Sequence, residues 1–456
     1  MLPVSDASKA SYMIDGSNKQ FRIKIETRGT DLTNSDIVQG SLSLQETIMS
    51  GSSLEFVGCI ASKFEVTIPN DGKTYKRCRI QVWVTCNNTD EIKIFTGIID
   101  SAKKDANKRF RKIVAYDELY YLSEMDVSEW YNQLVTPSYI TTITINQLIE
   151  RLKHKIGGLF DYVIPQPLVN GNVAILGSRY RKVSNFSALD LLKHICQFNG
   201  CFGIINREGK FEFRYIGYTS RDNLYPNEDL YPYNDVFPAQ PYQDSDPNYF
   251  QFYKKVTYED FHVRGIEAVE FRLESNTPGP MYPDDWTPQN LPNKYIVQRN
   301  IFAYDRSDNE LKSYAQQIYG RVRNISFLPF TSDNNGCPFL ECGDEVIFND
   351  LTSFSIDKNI HFIIFSRDLK GDQVLRDAYK AEGEESQSIF ISDLNPNLEE
   401  LESRVDDLED SVGDLDDRVK DLEDSLTGTT IVSVDEVPAS IQDDVIYLIQ
   451  GEVVVL

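Results

Sequence analysis

Between Phe21 and Leu122 apolar and polar residues alternate in short runs. "FRIKIET" from Phe21, "KFEVTIP" from Lys63, "CRIQVWVTC" from Cys78, "EIKIFTGIID" from Glu91 and "RKIVAYDELYYL" from Arg111 repeat with a period near two. That is the spacing of strands with one wet face. Asn, Asp, Gly and Lys separate the runs, which predicts an antiparallel barrel or sandwich. "LSLQETIMSG", between the first two runs, reads as a short helix or a loop.

Two later stretches change to a helical period. In "TINQLIERLKHKIG", Leu148, Ile149, Leu152 and Ile156 share one face and Gly157 can end the helix. In "SALDLLKHICQFNG", Ser187 suits the N-cap, Asp190 the first turn and Gly200 the C′ position. "CFGIIN", "REG" and "KFEFRYIG" follow as a β-hairpin. Residues 222–245 are rich in Pro, Asn, Asp and Tyr without a period, which marks a loop or domain crossing. Strands resume in "FYKKVTYEDF" and "IEAVEFRLES". A second loop, "NTPGPMYPDDWTPQNLPN", precedes a helix around "SDNELKSYAQQIYGRV". "ECGDEVIF", "NIHFIIFSRDL" and "AYKAEG" complete the strand signals. The class is α+β with β dominant.

A different pattern closes the chain. Leu398, Leu401, Val405, Leu408, Val412, Leu415, Val419, Leu422 and Leu426 step by three and four without a slip. This is a coiled-coil seam, Val or Leu at a and Leu at d. Position e is acidic throughout, and Arg404 and Arg418 stand at g, so Arg404 can pair with Glu409 and Arg418 with Glu423 of a neighbouring chain. The outer positions are mostly Asp, a poor helix former whose like charges repel, so only association of the seam can hold such a helix. Val at a leans toward two strands. "RVDDLE" and "RVKDLE" resemble the trimerisation motif of short coiled coils, and two copies at heptad spacing favour three. Beyond the seam, "VIYLI" and "EVVVL" meet across Gln450-Gly451 as a hairpin.

Composition bounds the rest. A chain of 456 residues exceeds what one core supports, so two to four domains are expected. The 41% hydrophobic content suffices for packed cores, and the 25 Tyr and 25 Phe favour strands. The net charge is −24, and 397–426 holds thirteen acidic residues against Arg404, Arg418 and Lys420. Such a balance argues against a grip on nucleic acid, though an acidic wall would let DNA slide past. The seven cysteines are scattered and odd in number, which fits buried thiols made in a reducing compartment. The start has no apolar core of signal-peptide length, and synthesis in the cytoplasm is expected.

No catalytic pattern stands out. The four histidines fall outside HExxH and metal spacings, and neither GxSxG nor GxxxxGK[ST] occurs. His154 and His194 lie on the two helices as structural or exposed residues. "TSDNNGCPFLECGDE" has the outline of a calcium loop, but its first and twelfth positions would be Thr331 and Cys342. Cys337 and Cys342 in "CPFLEC" read as ordinary thiols. Asp284 and Asp285 in "PDDW" read as solvated acids, and Trp130 and Tyr131 in "WYNQL" as core. Catalytic residues, metal and cofactor are all expected to be none.

Two stretches resemble a known family. Residues 95–134 hold "AYDELYYL" and "DVSEWY", and residues 187–216 hold a helix followed by a hairpin. Both are similar to the tail-associated hub proteins of phages and prophages that infect Gram-positive bacteria. "FLECGDEVIF" and "FIIFSRDLKG" add a weaker likeness. The resemblance covers roughly residues 1–390 and implies a homotrimer around an axial channel. Each chain would supply two barrel-like domains, so that three chains face a six-fold ring of distal tail protein. The channel would open for the tape measure protein and DNA. The organisation expected is then a barrel-like domain at 1–115, an α+β domain at 116–225 with helices near 144–156 and 187–199, and a second barrel-like domain at 226–390. A trimeric coil at 397–426 and a small β tip at 427–456 follow. Longer relatives carry hydrolytic or receptor-binding domains where this chain has only the coil and tip. The tip itself resembles small modules of tail fibres and receptor-binding proteins. The resemblance implies a non-enzymatic structural protein of the virion tail tip, with tail fibres, receptor-binding proteins or the host envelope as further partners. The rivals are a receptor-binding adhesin with the coil as stalk and a tail-associated peptidoglycan hydrolase.

Overall fold

The computed structural model describes the chain apart from 49–57, 136–142, 176–182, 217–254, 285–291, 350–358, 384–388, 393–429, 435–444, 450–451, 455–456 and scattered shorter positions. The chain divides into one unit at Met1–Leu394 and another at Asn395–Leu456.

The first unit opens with helix α1 (Asp6–Met13) and strands β1 (Lys19–Ile25), β2 (Leu32–Thr33), β3 (Ser43–Thr47), β4 (Lys63–Pro69), β5 (Arg79–Cys86), β6 (Ile92–Lys104) and β7 (Phe110–Tyr116). Helices α2 (Glu118–Ser123), α3 (Ser128–Leu134) and α4 (Ile145–Ile156) follow. Strand β8 (Tyr162–Val163), helix α5 (Ala188–Asn199) and the hairpin β9 (Phe202–Ile205) and β10 (Phe211–Arg214) come next. After them lie β11 (Lys255–Tyr258), β12 (Ala268–Arg272), β13 (Met281–Tyr282), β14 (Lys294–Gln298), α6 (Asp308–Val322) and β15 (Phe330–Asn335). The last are β16 (Glu345–Asn349), β17 (Asn359–Ile363), β18 (Ser366–Lys370), β19 (Arg376–Ala381) and β20 (Ile389–Ser392).

Eleven strands form one antiparallel sheet, curled as a half-barrel, in the order β11-β15-β19-β18-β3-β4-β7-β6-β5-β1-β2. Its two halves come from opposite ends of the unit and join where β3 pairs with β18, Leu44 opposite Leu369 and Glu46 opposite Arg367. Alternation sets the faces. On β5, Ile80, Val82, Val84 and Cys86 are buried while Gln81, Trp83 and Thr85 are half-exposed. Each such aliphatic contributes about 1.5–3 kcal/mol on burial. Smaller sheets run β8-β10-β9, β13-β12-β14-β20 and β16-β17. The class is therefore α+β with β dominant.

Helix α5 is apolar around most of its circumference because it lies inside the unit, against α2, α6 and β9. Ser187 and Asp190 make a reciprocal capping box, and Gly200 ends the helix at φ 66°. A Cβ on Gly200 would sit 2.8 Å from Ile318 Cγ2 on α6, so glycine serves both the turn and the helix contact. Phe198 packs within 6 Å of Phe271, Phe302 and Tyr314. Its buried polar neighbours are matched: Asn300 Nδ2 donates to His194 O and Gln197 Oε1, both at 2.8 Å. Helix α4 is likewise capped by Thr144 with Gln147, and it buries Ile145, Leu148, Ile149 and Leu152.

Two local expectations change. Residues Ser43–Thr47 form a strand rather than a helix or loop, because β4 and β18 pair with them on both sides. The alternation from Arg111 stops at Tyr116, where Asp117 accepts a hydrogen bond from Leu119 N and starts a helix.

In the second unit, β21 (Thr430–Val434) lies parallel to β22 (Val445–Ile449), which pairs antiparallel with β23 (Glu452–Val454). The expected final hairpin is present, with Ile449 opposite Glu452.

Candidate functional site

The seam from Leu398 to Leu426 and its ion pairs, Arg404 with Glu409 and Arg418 with Glu423, lie outside the described residues. Within the first unit, the densest constellation of functional groups sits where the two halves of the sheet meet.

Glu46 on β3 receives two arginines there. Arg207, from the β9–β10 turn, approaches its carboxylate at 2.5 and 3.1 Å, and Arg367 on β18 approaches at 3.2 Å. Arg367 also places Nε 3.0 Å from both oxygens of Asp377 and Nη2 2.7 Å from one of them. Its remaining donors reach Leu340 O at 2.6 Å and Cys337 O at 3.0 Å. Tyr379 OH and Cys337 N donate to Asp377 at 2.8 and 3.2 Å. The planar guanidinium is thus saturated by a fixed fork of acceptors, the arrangement in which arginine is pre-organised for a buried pair.

A second pair adjoins the first. Glu341 lies 3.1 Å from Arg214 on β10 and 3.3 Å from Arg207, and its own N–H donates to Asp344 at 2.8 Å. Burial alone would raise Glu341, but Arg214 and Arg207 hold its carboxyl down at about 2. Burial pushes Asp377 upward, while Arg367 and the donors from Tyr379 and Cys337 pull against it. Strands β3, β18, β19 and β10 and the 337–344 turn are tied at one point. A desolvated group left without its partner would carry the whole cost of burial, so the cluster resists separation of the halves. What the arrangement supplies is cohesion between the two halves of the sheet.

The other sequence candidates fall apart in space or into the core. "TSDNN" is strand β15, and Asn334 Nδ2 bonds Ser332 Oγ at 2.8 Å within it. All seven cysteines are buried and none forms a disulfide. Asp284 pairs with Lys312 on α6 at 2.7 Å. Tyr131 is buried and Trp130 packs partly against the core. His154 is exposed beside Glu150, whereas His194 is buried, and desolvation followed by the nearby Lys193 lowers it to about 3. Among the described residues no group of three His, Cys, Asp or Glu could hold a metal ion, and no helix is long and apolar enough to cross a membrane.

The sequence reading missed the junction residues, yet a signal existed. Arg367 shares the inward register of β18 with Leu369, and Asp377 that of β19 with Tyr379 and Ala381. A charged residue on the apolar phase of a strand points to a buried partner. Glu46 and Arg207 carry no comparable mark.

No protein-family model and no curated protein matches the chain. Among solved structures it is similar to a tail protein from Neisseria meningitidis MC58, with 13% identity, TM-score 0.44, and 82% of this chain and 99% of that one covered. It is also similar to the 43 kDa tail protein of prophage MuSo2 from Shewanella oneidensis, with 10% identity, TM-score 0.45, and coverage of 79% and 97%. A third is prophage tail protein gp18 from Listeria monocytogenes EGD-e, with 12% identity, TM-score 0.39, and coverage of 79% and 94%.

Proposed function

We propose that the chain is the structural hub of a bacteriophage-type tail, working as a homotrimer at the tail tip. The observation that carries this reading is the unbroken a/d seam from Leu398 to Leu426 with its two Arg-apolar-x-x-apolar-Glu copies. Such a seam gathers chains in a fixed number, and three is the number its arginines favour. A sheet built from two halves supports it, because three chains with two half-units each can meet a six-fold ring. On this reading the first unit contacts the distal tail ring and surrounds an axial channel. The tape measure protein and DNA pass through on opening, and the coil projects toward fibres, receptor-binding proteins or the envelope. The chain does no chemistry of its own.

Light scattering of the full chain, and of a chain ending at Ser392, tests this directly. The full chain should weigh three times its monomer mass at micromolar concentration and appear as rings by electron microscopy. A monomeric full chain would sink the proposal. The three-stranded sheet beyond the seam favours a second reading, an adhesin with a trimeric head. It is small for a specific interface unless three copies combine. Binding of a fragment spanning 391–456 to host cells would favour that reading over the hub.

A further inference from the structure

The hairpin between β6 and β7 carries charge that its surroundings do not answer. Lys103, Lys104, Lys108, Arg109 and Lys112 are all exposed on it, and Asp105 is the one acid between them. The strand register sets Lys103 opposite Lys112 and Lys104 opposite Arg111, an arrangement that costs stability. Arg111 turns inward to Lys73 O and Asn70 Oδ1, which pins the 70–77 loop beside the hairpin. That loop adds Lys73, Lys76 and Arg77, all exposed. Among the described residues only Lys112 of these exposed cations has an ion pair, with Glu65 at 2.9 Å. Phe110 stands among them, 39% exposed. A protruding aromatic ringed by unpaired cations has the anatomy of an interface anchor with a steering rim.

A surface of complementary character lies on the far edge of the same sheet. There a hollow of about 280 Å³ is walled by Tyr258, Pro329, Phe330 and Gly383, with Glu259 and Glu382 on its rim. Glu259 and the adjacent Asp260 are exposed and have no ion pair among the described residues, while Glu382 shares Lys380. The sequence continues past Gly383 as Glu384-Glu385. Six strand-to-strand steps separate β7 from β11. At ~4.8 Å a step that is a path of about 29 Å along the curled sheet. The strand register also sets Phe110 and Phe330 at opposite ends of the strands, so a chain cannot seat its own hairpin in its own hollow.

We infer that Phe110 and its cations on one copy seat in the acid-rimmed hollow beside β11 on the next copy. The contact is heterologous, and it closes into a ring when the rotation per copy divides a full turn. It rests on the hub reading only for the number of copies, three. Exposed charges make it sensitive to salt, because screening acts over about 10 Å at 0.1 M.

The test uses the full chain with a photo-crosslinking phenylalanine analogue in place of Phe110, irradiated at low salt and mapped by mass spectrometry. Crosslinks between copies should join position 110 to peptides holding 256–261, 327–333 or 381–383. Crosslinks elsewhere on a second copy, or none between copies, overturn the inference. Reversal of the hairpin by Lys104→Glu, Lys108→Glu and Arg109→Glu should lower the yield about tenfold. Adding Glu259→Lys and Asp260→Lys should restore it, and failure to restore also overturns it. Light scattering on the same samples separates the two readings. A trimer without these crosslinks leaves the hub standing and removes this contact, whereas crosslinked dimers or filaments keep the contact and remove the trimer.

Discussion

The first unit treats charge in two opposite ways. At the junction of the half-sheets Arg367 and Arg207 are buried and Arg214 is nearly so, and each is met by carboxylates at 2.5–3.3 Å. At the β6–β7 hairpin the cations are exposed and stand opposite one another. The difference separates charges that hold a fold from charges left for a partner. A matched buried pair resists the loss of either member, while an unmatched exposed set loses little when changed. Between these extremes lie Asp117 and Glu118, two buried carboxylates of which Glu118 meets the exposed Arg79 at 3.2 Å.

The largest effect belongs to the junction. Arg367→Met leaves Asp377 desolvated and without its guanidinium, and should destabilise the chain by about 3–5 kcal/mol in chemical denaturation. Combining it with Asp377→Leu should recover part of that loss, because both charges then leave together. A loss under about 1 kcal/mol for the single change would mean that water reaches the cluster, and the contrast with the hairpin would fail.

The middle case reads out as pH dependence. Burial pushes Asp117 up to about 8 and Glu118 up to about 7, against the pull of the Ser62 N–H on the first and of Arg79 on the second. Their unfolded values lie near 4, so the folded-state values are raised. Stability from these groups is fully present below about pH 4 and is lost as pH rises through 7 and 8. His194, lowered to about 3, acts at the other end, where stability is lost as pH falls from about 6.5 toward 3. Melting temperatures from pH 5 to 9 should therefore fall on the alkaline side. Glu118→Gln should flatten that limb and leave the acid limb alone. Identical alkaline slopes in the two proteins would show that Glu118 is ionised throughout.

Much of the scaffold was legible from periodicity and end signals. The cap at Ser187, the helices that begin after Thr144 and Ser307, the glycines at 157 and 200, and the strand at Lys63–Pro69 all follow from local chemistry. Strand β15 did not, since "FTSDNN" is polar by composition and is made a strand by β11 and β19 on its two sides. Ser43–Thr47 failed for the same reason, its partners being sequence-distant. The junction was half hidden: Arg367 and Asp377 fall on the apolar phase of their strands, whereas Glu46 and Arg207 are ordinary charges until the fold removes water from them. The basic hairpin was in plain view as "KKDANKRFRK", but it reads as a turn, and only the register shows that its charges oppose.

That register gives the smallest and most discriminating effect. Lys103→Glu places a carboxylate opposite Lys112, turning a repulsive cross-strand pair into an attractive one. The gain should be about 0.2–1 kcal/mol by denaturation and should shrink in high salt. A similar change at the junction would destabilise, so the sign alone distinguishes the two regions. The same substitution should weaken association of copies, because it removes one cation from the rim around Phe110. Greater stability with weaker assembly is what a surface kept for a partner requires. If Lys103→Glu were destabilising, or left assembly unchanged, the hairpin would be a structural element whose charge serves solubility.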